Sequence, residues 1–176
     1  MNHPDYQKQN EEFVARVVAV CRDRGRRSEL RRWWSERTRH YALPVLGRLS
    51  AIDDQRRTIA AALHAVHAGE SAPAHRPGGP SVGKAALILA GGNSNAAGFE
   101  SMERHFRRLL ASGDLDELAG QLHRMVKRLQ RESIPLDYAR LLGELRQWSR
   151  DPAQVKTRWA IDFWQGPPAT EPTAQP

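Results

Sequence analysis

Apolar residues recur one helical turn apart along almost the whole chain. Phe13, Val14, Val17, Val18 and Cys21 form the first stripe, and Ile59, Leu63 and Val66 form another, which Gly69 closes. Leu118, Leu122, Met125, Val126 and Leu129 line one side of a third helix, opened by Asp114-Leu-Asp-Glu117 in the form of a capping box. Leu141, Leu142, Leu145 and Trp148 make the next stripe. Asp151-Pro152 then reads as an N-cap with proline in the first turn, opening a last helix with Val155, Trp159 and Phe163 on one face. No stretch alternates with the period of a strand. Helices joined by short turns predict an all-α fold, a helical bundle.

Two stretches break the pattern. Residues 70–80, Glu-Ser-Ala-Pro-Ala-His-Arg-Pro-Gly-Gly-Pro, cannot continue a helix. They predict a flexible linker between an N-terminal helical part, residues 1–69, and a C-terminal one, residues 81–165. The tail from Gly166 to Pro176, with four prolines and no aromatic residue, is expected to be disordered.

Composition sharpens the picture. At 176 residues and 40% apolar content the chain can bury a core, and its net charge is +7, carried mostly by arginine. That charge makes nucleic acid or another anionic surface the leading class of partner. No run is long enough for a membrane span, and the single cysteine, Cys21, has no partner for an internal disulfide, so a cytoplasmic protein is expected.

The charge is placed unevenly. On a helical wheel Arg124, Lys127, Arg128 and Arg131 cluster nearly opposite the Leu118–Leu129 stripe, with no acid among them to form ion pairs. Residues 22–39 hold eight arginines against three acids, for a net +5, with Trp33 and Trp34 interleaved. Helical spacing places at least one of those tryptophans toward a core with Tyr41 and Val45, and a core role rather than base stacking is expected for both.

Several catalytic patterns fail on inspection. Gly78-Gly-Pro-Ser-Val-Gly83-Lys84 matches a phosphate-binding loop. Yet Ala85 stands where a magnesium-holding hydroxyl belongs, Pro80 removes an amide, and no strand precedes it. The turn Gly91-Gly-Asn-Ser-Asn95 also lacks the strand of a nucleotide fold. His64 and His67 lie one turn apart without a third ligand and read as helix-surface histidines. Cys21 reads as a packing residue. No cofactor, metal or small-molecule substrate is expected, and no nucleophile, base and orienting group assemble.

Ser81-Val-Gly-Lys84-Ala-Ala, Glu103-Arg104-His-Phe106-Arg-Arg-Leu-Leu110, Ile134-Pro-Leu-Asp137-Tyr138, Leu145 to Trp148 and Trp159 to Trp164 follow one another in a specific order. In that order and spacing the chain resembles the small subunit of the type I-E CRISPR surveillance complex Cascade, the CasB family. The likeness runs over residues 10–165 and extends to Leu30-Arg31-Arg32 and Tyr41-Ala-Leu-Pro. Tyr138 departs from it, standing where the family often has Trp. The resemblance implies a non-enzymatic, all-helical protein, present in two head-to-tail copies beside the guide RNA and the backbone and large subunits. Such a protein steadies the pairing of guide RNA with target DNA and the displaced, non-target strand of the R-loop. It further implies that Arg31, Arg32, Lys84, Arg104, Lys127 and Arg150 face nucleic acid. Local sequence adds Arg107, Arg108, Arg124, Arg128 and Arg131, and Arg76 lies on the linker. Arg107 and Arg108 cannot share one groove, so one of them is expected to pair with Glu103 or another acid. Two other classes stay open: a helix-turn-helix regulator of DNA, and a pure assembly protein whose arginines meet acidic partner subunits.

Overall fold

A computed structural model describes residues 4–70 and 72–166. Nine α-helices are found among them: α1 Pro4–Cys21, α2 Arg24–Arg31, α3 Leu43–Arg48, α4 Gln55–His67, α5 Val82–Leu89, α6 Phe99–Leu110, α7 Leu115–Arg131, α8 Tyr138–Trp148 and α9 Pro152–Trp164. Two 3-10 turns, Arg32–Trp34 and Arg39–Ala42, connect α2 to α3. The expected all-α class is what the chain adopts.

Local chemistry explains where the helices start. Side chains of Asp23, Asp54, Ser81, Asp114, Asp137 and Asp151 each accept from a backbone N–H in the first turn of the following helix. The capping box read at Asp114 closes with a shift of one residue: Asp114 Oδ1 accepts from Glu117 N at 2.8 Å, while Glu117 Oε2 accepts from Gly113 N at 2.8 Å. Asp151 caps α9 and Pro152 occupies its first turn, as the sequence indicates.

Packing follows the stripes. Phe13, Val17, Leu63, Leu122, Val126, Leu142, Trp159 and Phe163 are all buried in one continuous cluster. Helix α1 packs on α8, α4 packs on both α7 and α8, and α5 packs on α9. The core therefore runs across both halves and is not divided at residues 70–80. The α5–α9 contact depends on Gly83, where a Cβ would collide with the Trp159 carbonyl. This is the use of the glycine in the loop-like Gly78–Lys84 motif: it brings two helices together. The Ser81 hydroxyl of the same motif caps α5 and is hydrogen-bonded to Asp162.

The described residues of the expected linker are strapped down. Arg76 N donates to Leu136 O at 3.0 Å, Leu136 N donates to Ala74 O at 2.9 Å, and Gly78 N donates to the Asp137 carboxylate at 3.0 Å. Proline and glycine forbid a helix here but not backbone pairing. Two non-helical segments, 72–80 and 134–137, satisfy each other's polar groups. The tail expected to be disordered lies, apart from Gly166, outside the described residues.

Two further expectations are corrected. His64 and His67 are buried, at 4% and 3% exposure, not surface residues. They pack around Tyr138, also buried, whose hydroxyl lies 2.9 Å from His67 Nδ1. His67 Nε2 lies 2.7 Å from the Ile134 carbonyl, which only accepts, so the ring proton sits on Nε2 and Tyr138 donates to Nδ1. With both nitrogens engaged, His67 has no lone pair left for a metal. Tyr41 differs as well: Val45 is buried and Trp33 and Trp34 are half-buried and packed against the core, but Tyr41 is 47% exposed. The 3-10 turns break the helical spacing on which a shared core depended.

Candidate nucleic-acid interface

The amphipathic helices α6 and α7 present a continuous cationic surface. Phe106 and Leu109 face inward on α6, and Leu118, Leu122, Met125, Val126 and Leu129 do so on α7, which leaves their arginines outside. Partial desolvation, with the positive charges of Arg128, Arg108 and Arg104 added to it, holds the His105 pKa below the ordinary histidine value. Arg104, Arg108 and Arg128 form no ion pair among the described residues. Their field is not neutralised locally.

Arg107 behaves differently. Its guanidinium donates to Glu103 Oε1 at 3.2 Å and lies over the Trp164 ring, 5.6 Å from the centroid. Trp164 Nε1 donates to the same carboxylate oxygen at 2.9 Å, and these two hydrogen bonds lower the Glu103 pKa. Arg107 is thus the member of the Arg107–Arg108 pair that finds Glu103, and Arg108 remains on the open face.

A second cluster joins the two ends of the sequence. A groove of about 510 Å³ between the α2 region and α7 is lined by Arg31, Arg32, Trp34, His123 and Lys127 among others. Arg32 lies over the Tyr41 ring, 4.6 Å from its centroid, and Lys127 is exposed with no ion pair among the described residues. Arg31 is committed elsewhere. Its Nε donates to Ala65 O at 2.8 Å and its Nη2 to Ala68 O at 3.2 Å, so it closes the C-terminal end of α4 where carbonyls lack partners. Arg124 flanks the groove beside His123, whose pKa it helps to depress. Since Lys127 and Arg128 are consecutive, α7 links this groove to the His105 cluster.

Other residues singled out from the sequence lie outside both clusters. Arg76 is exposed on the 72–80 segment, and Lys84 is half-buried on α5. Arg131 lines a separate depression with Glu70. Arg150 lines a cleft of about 350 Å³ between α1 and α8. That cleft also contains Arg140, Arg146 and Arg158, and two of its four arginines are ion-paired: Arg140 with Glu144 at 3.0 Å and Asp162 at 3.3 Å, and Arg146 with Asp54 at 3.9 Å. The Glu144 carboxyl is buried, which raises its pKa, against the pull of Trp159 Nε1 and Arg140. Arg158 escaped the sequence reading. A wheel drawn on α9 places it on the flank of the Val155, Trp159 and Phe163 stripe, and its side chain is exposed.

Comparison with known proteins gives the family. The model of the CRISPR-associated protein Cse2 matches residues 26–164. The chain belongs to the Cse2 family. Fold agrees with family: the crystal structure of CasB from Thermobifida fusca superposes with a TM-score of 0.71 at 22% identity, covering 90% of this chain and 97% of the other. A Cse2-family protein of Thermus thermophilus gives 0.68 at 24% identity, covering 88% and 96%. A chain of a CRISPR RNA-guided surveillance complex gives 0.67 at 25% identity, covering 90% and 92%. No curated protein matches the chain. The resemblance to the Cascade small subunit, read from short motifs, is to this same family. Most of the motifs that carried it are structural here: Ser81 caps α5, Asp137 caps α8, and Trp159 is buried.

Proposed function

We propose that this Cse2-family chain is the small subunit of a CRISPR RNA-guided surveillance complex and that the α6–α7 surface holds nucleic-acid backbone within it. The observation that carries this reading is that Arg104, Arg108 and Arg128 lie outside the buried stripes of α6 and α7 and form no ion pair among the described residues. Cations left without an ion-pair partner are suited to phosphate. Arginine and lysine contacts to phosphate position a strand without reading its bases, and in RNA-guided recognition base pairing supplies the sequence specificity. The role is therefore to steady target DNA paired with guide RNA and the displaced strand, alongside backbone and large subunits and a second copy of the chain. Other subunits cut.

Counterion release tests this reading. If Arg104, Arg108, Lys127 and Arg128 each neutralise one phosphate of a single strand, affinity should fall by about 50-fold between 50 and 200 mM salt. Fluorescence anisotropy of the chain with a labelled oligonucleotide measures it. Absence of binding at low salt, or an affinity independent of salt, would contradict the assignment.

A further inference from the structure

The groove between the α2 region and α7 carries more than charge. Trp34 and His123 lie flat on one another, with ring centroids 4.3 Å apart and planes 7° apart, and both line the open groove. Both are half-buried, so part of each remains accessible. The pair is held firmly. Trp34 Nε1 donates to Ala62 O at 3.1 Å, and Trp33 meets the Trp34 ring edge-on at 4.9 Å. Arg39 in turn lies over the Trp33 ring, 4.6 Å from its centroid.

Around this platform the lining is cationic and polar. Arg32 and Lys127 belong to it, no acidic side chain does, and Ser28 and Ser35 add hydroxyls. Arg31 lines the groove too, but its hydrogen bonds to Ala65 and Ala68 assign it to the scaffold. Burial, Lys127 and Arg124 together push the His123 pKa down to about 4, so at neutral pH its ring is uncharged. It adds a flat surface, not another point charge. The volume, about 510 Å³, falls within the range of small-ligand sites, about 300–1,000 Å³.

Aromatic rings flanked by basic side chains are how proteins bind unpaired nucleotides, with the backbone on the charges and a base on the ring. Bases within a duplex are covered by their neighbours and cannot reach such a ring. We infer that this groove holds an unpaired nucleotide of a single strand, its phosphate beside Arg32 and Lys127 and its base against the Trp34–His123 pair. The inference rests on the backbone-holding role proposed above and adds that the strand at this point is single and contacted through a base.

Three probes of equal length separate the two ideas: a thymidine oligonucleotide, the same sugar-phosphate chain without bases, and a duplex, each titrated into the full chain. The thymidine strand should bind about 5- to 160-fold more tightly than the abasic one, the range expected for stacking one base. His123→Ala should remove that difference while leaving abasic affinity unchanged, and His123→Phe, which keeps a flat ring, should restore it. Equal affinity for thymidine and abasic strands would overturn the base site while leaving the phosphate surface standing. So would a thymidine preference that survives His123→Ala. Failure of all three probes to bind at low salt would overturn both.

Discussion

At the scale of single residues, the arginines of this chain divide by the company they keep. Arg31 spends its guanidinium on the carbonyls of Ala65 and Ala68. Lys127, in the same groove, has no such commitment. Arg31→Ala should therefore lower stability by about 1–3 kcal/mol, the usual loss for charged hydrogen bonds to partly buried carbonyls. Lys127→Ala should leave stability unchanged and weaken binding to single-stranded DNA. Chemical denaturation and anisotropy on both variants check the contrast, and a large stability loss in Lys127→Ala would refute it. Sequence could show Arg107 pairing with Glu103, because the two stand one turn apart on one helix. It could not show the work of Arg31, whose acceptors lie 34 and 37 residues away.

At the scale of elements, the stripes and caps were legible because they are local. A wheel on α7 separates Leu118, Leu122, Met125, Val126 and Leu129 from the basic face with no tertiary information, and all five are buried. The histidines were not legible. His64 and His67 on α4 find their environment in Tyr138 at the start of α8, and the 72–80 segment adds His75, whose Nδ1 accepts from Tyr138 N at 3.0 Å. Burial is the main cause that pushes His64 down to about 3 and His67 down to about 4. Both pKa values lie below the ordinary value of about 6.5, so the unfolded chain binds more protons. Stability is then full above about pH 6.5 and is lost as pH falls toward 4 and then 3. At pH 5 each histidine should cost about 2 kcal/mol. Thermal unfolding at pH 7.5 and pH 5 should show a clear drop in Tm, smaller in His64→Leu, which leaves the His67 contribution in place. An unchanged Tm would mean that these rings are not held neutral.

At the scale of the whole molecule, one core binds two arms of sequence so that α7 becomes the spine of a cationic surface. The residues 70–80 looked like a divide because their composition forbids a helix. Their hydrogen bonds to Leu136 and Asp137 instead close the structure on itself. The groove lined by Trp34, His123 and Lys127 joins residues far apart in the chain, which is why no window of sequence displays it. In the function proposed above the surface works in a complex where base pairing supplies specificity, so the property that tests the proposal is how long an opened target stays open. Replacing Arg104, Lys127 and Arg128 together with Ala should leave helical content and assembly intact, since all three lie outside the core. In the reconstituted surveillance complex, the lifetime of the R-loop on a matched target should shorten by an order of magnitude or more at moderate salt. An unchanged lifetime in a fully assembled complex would contradict the account.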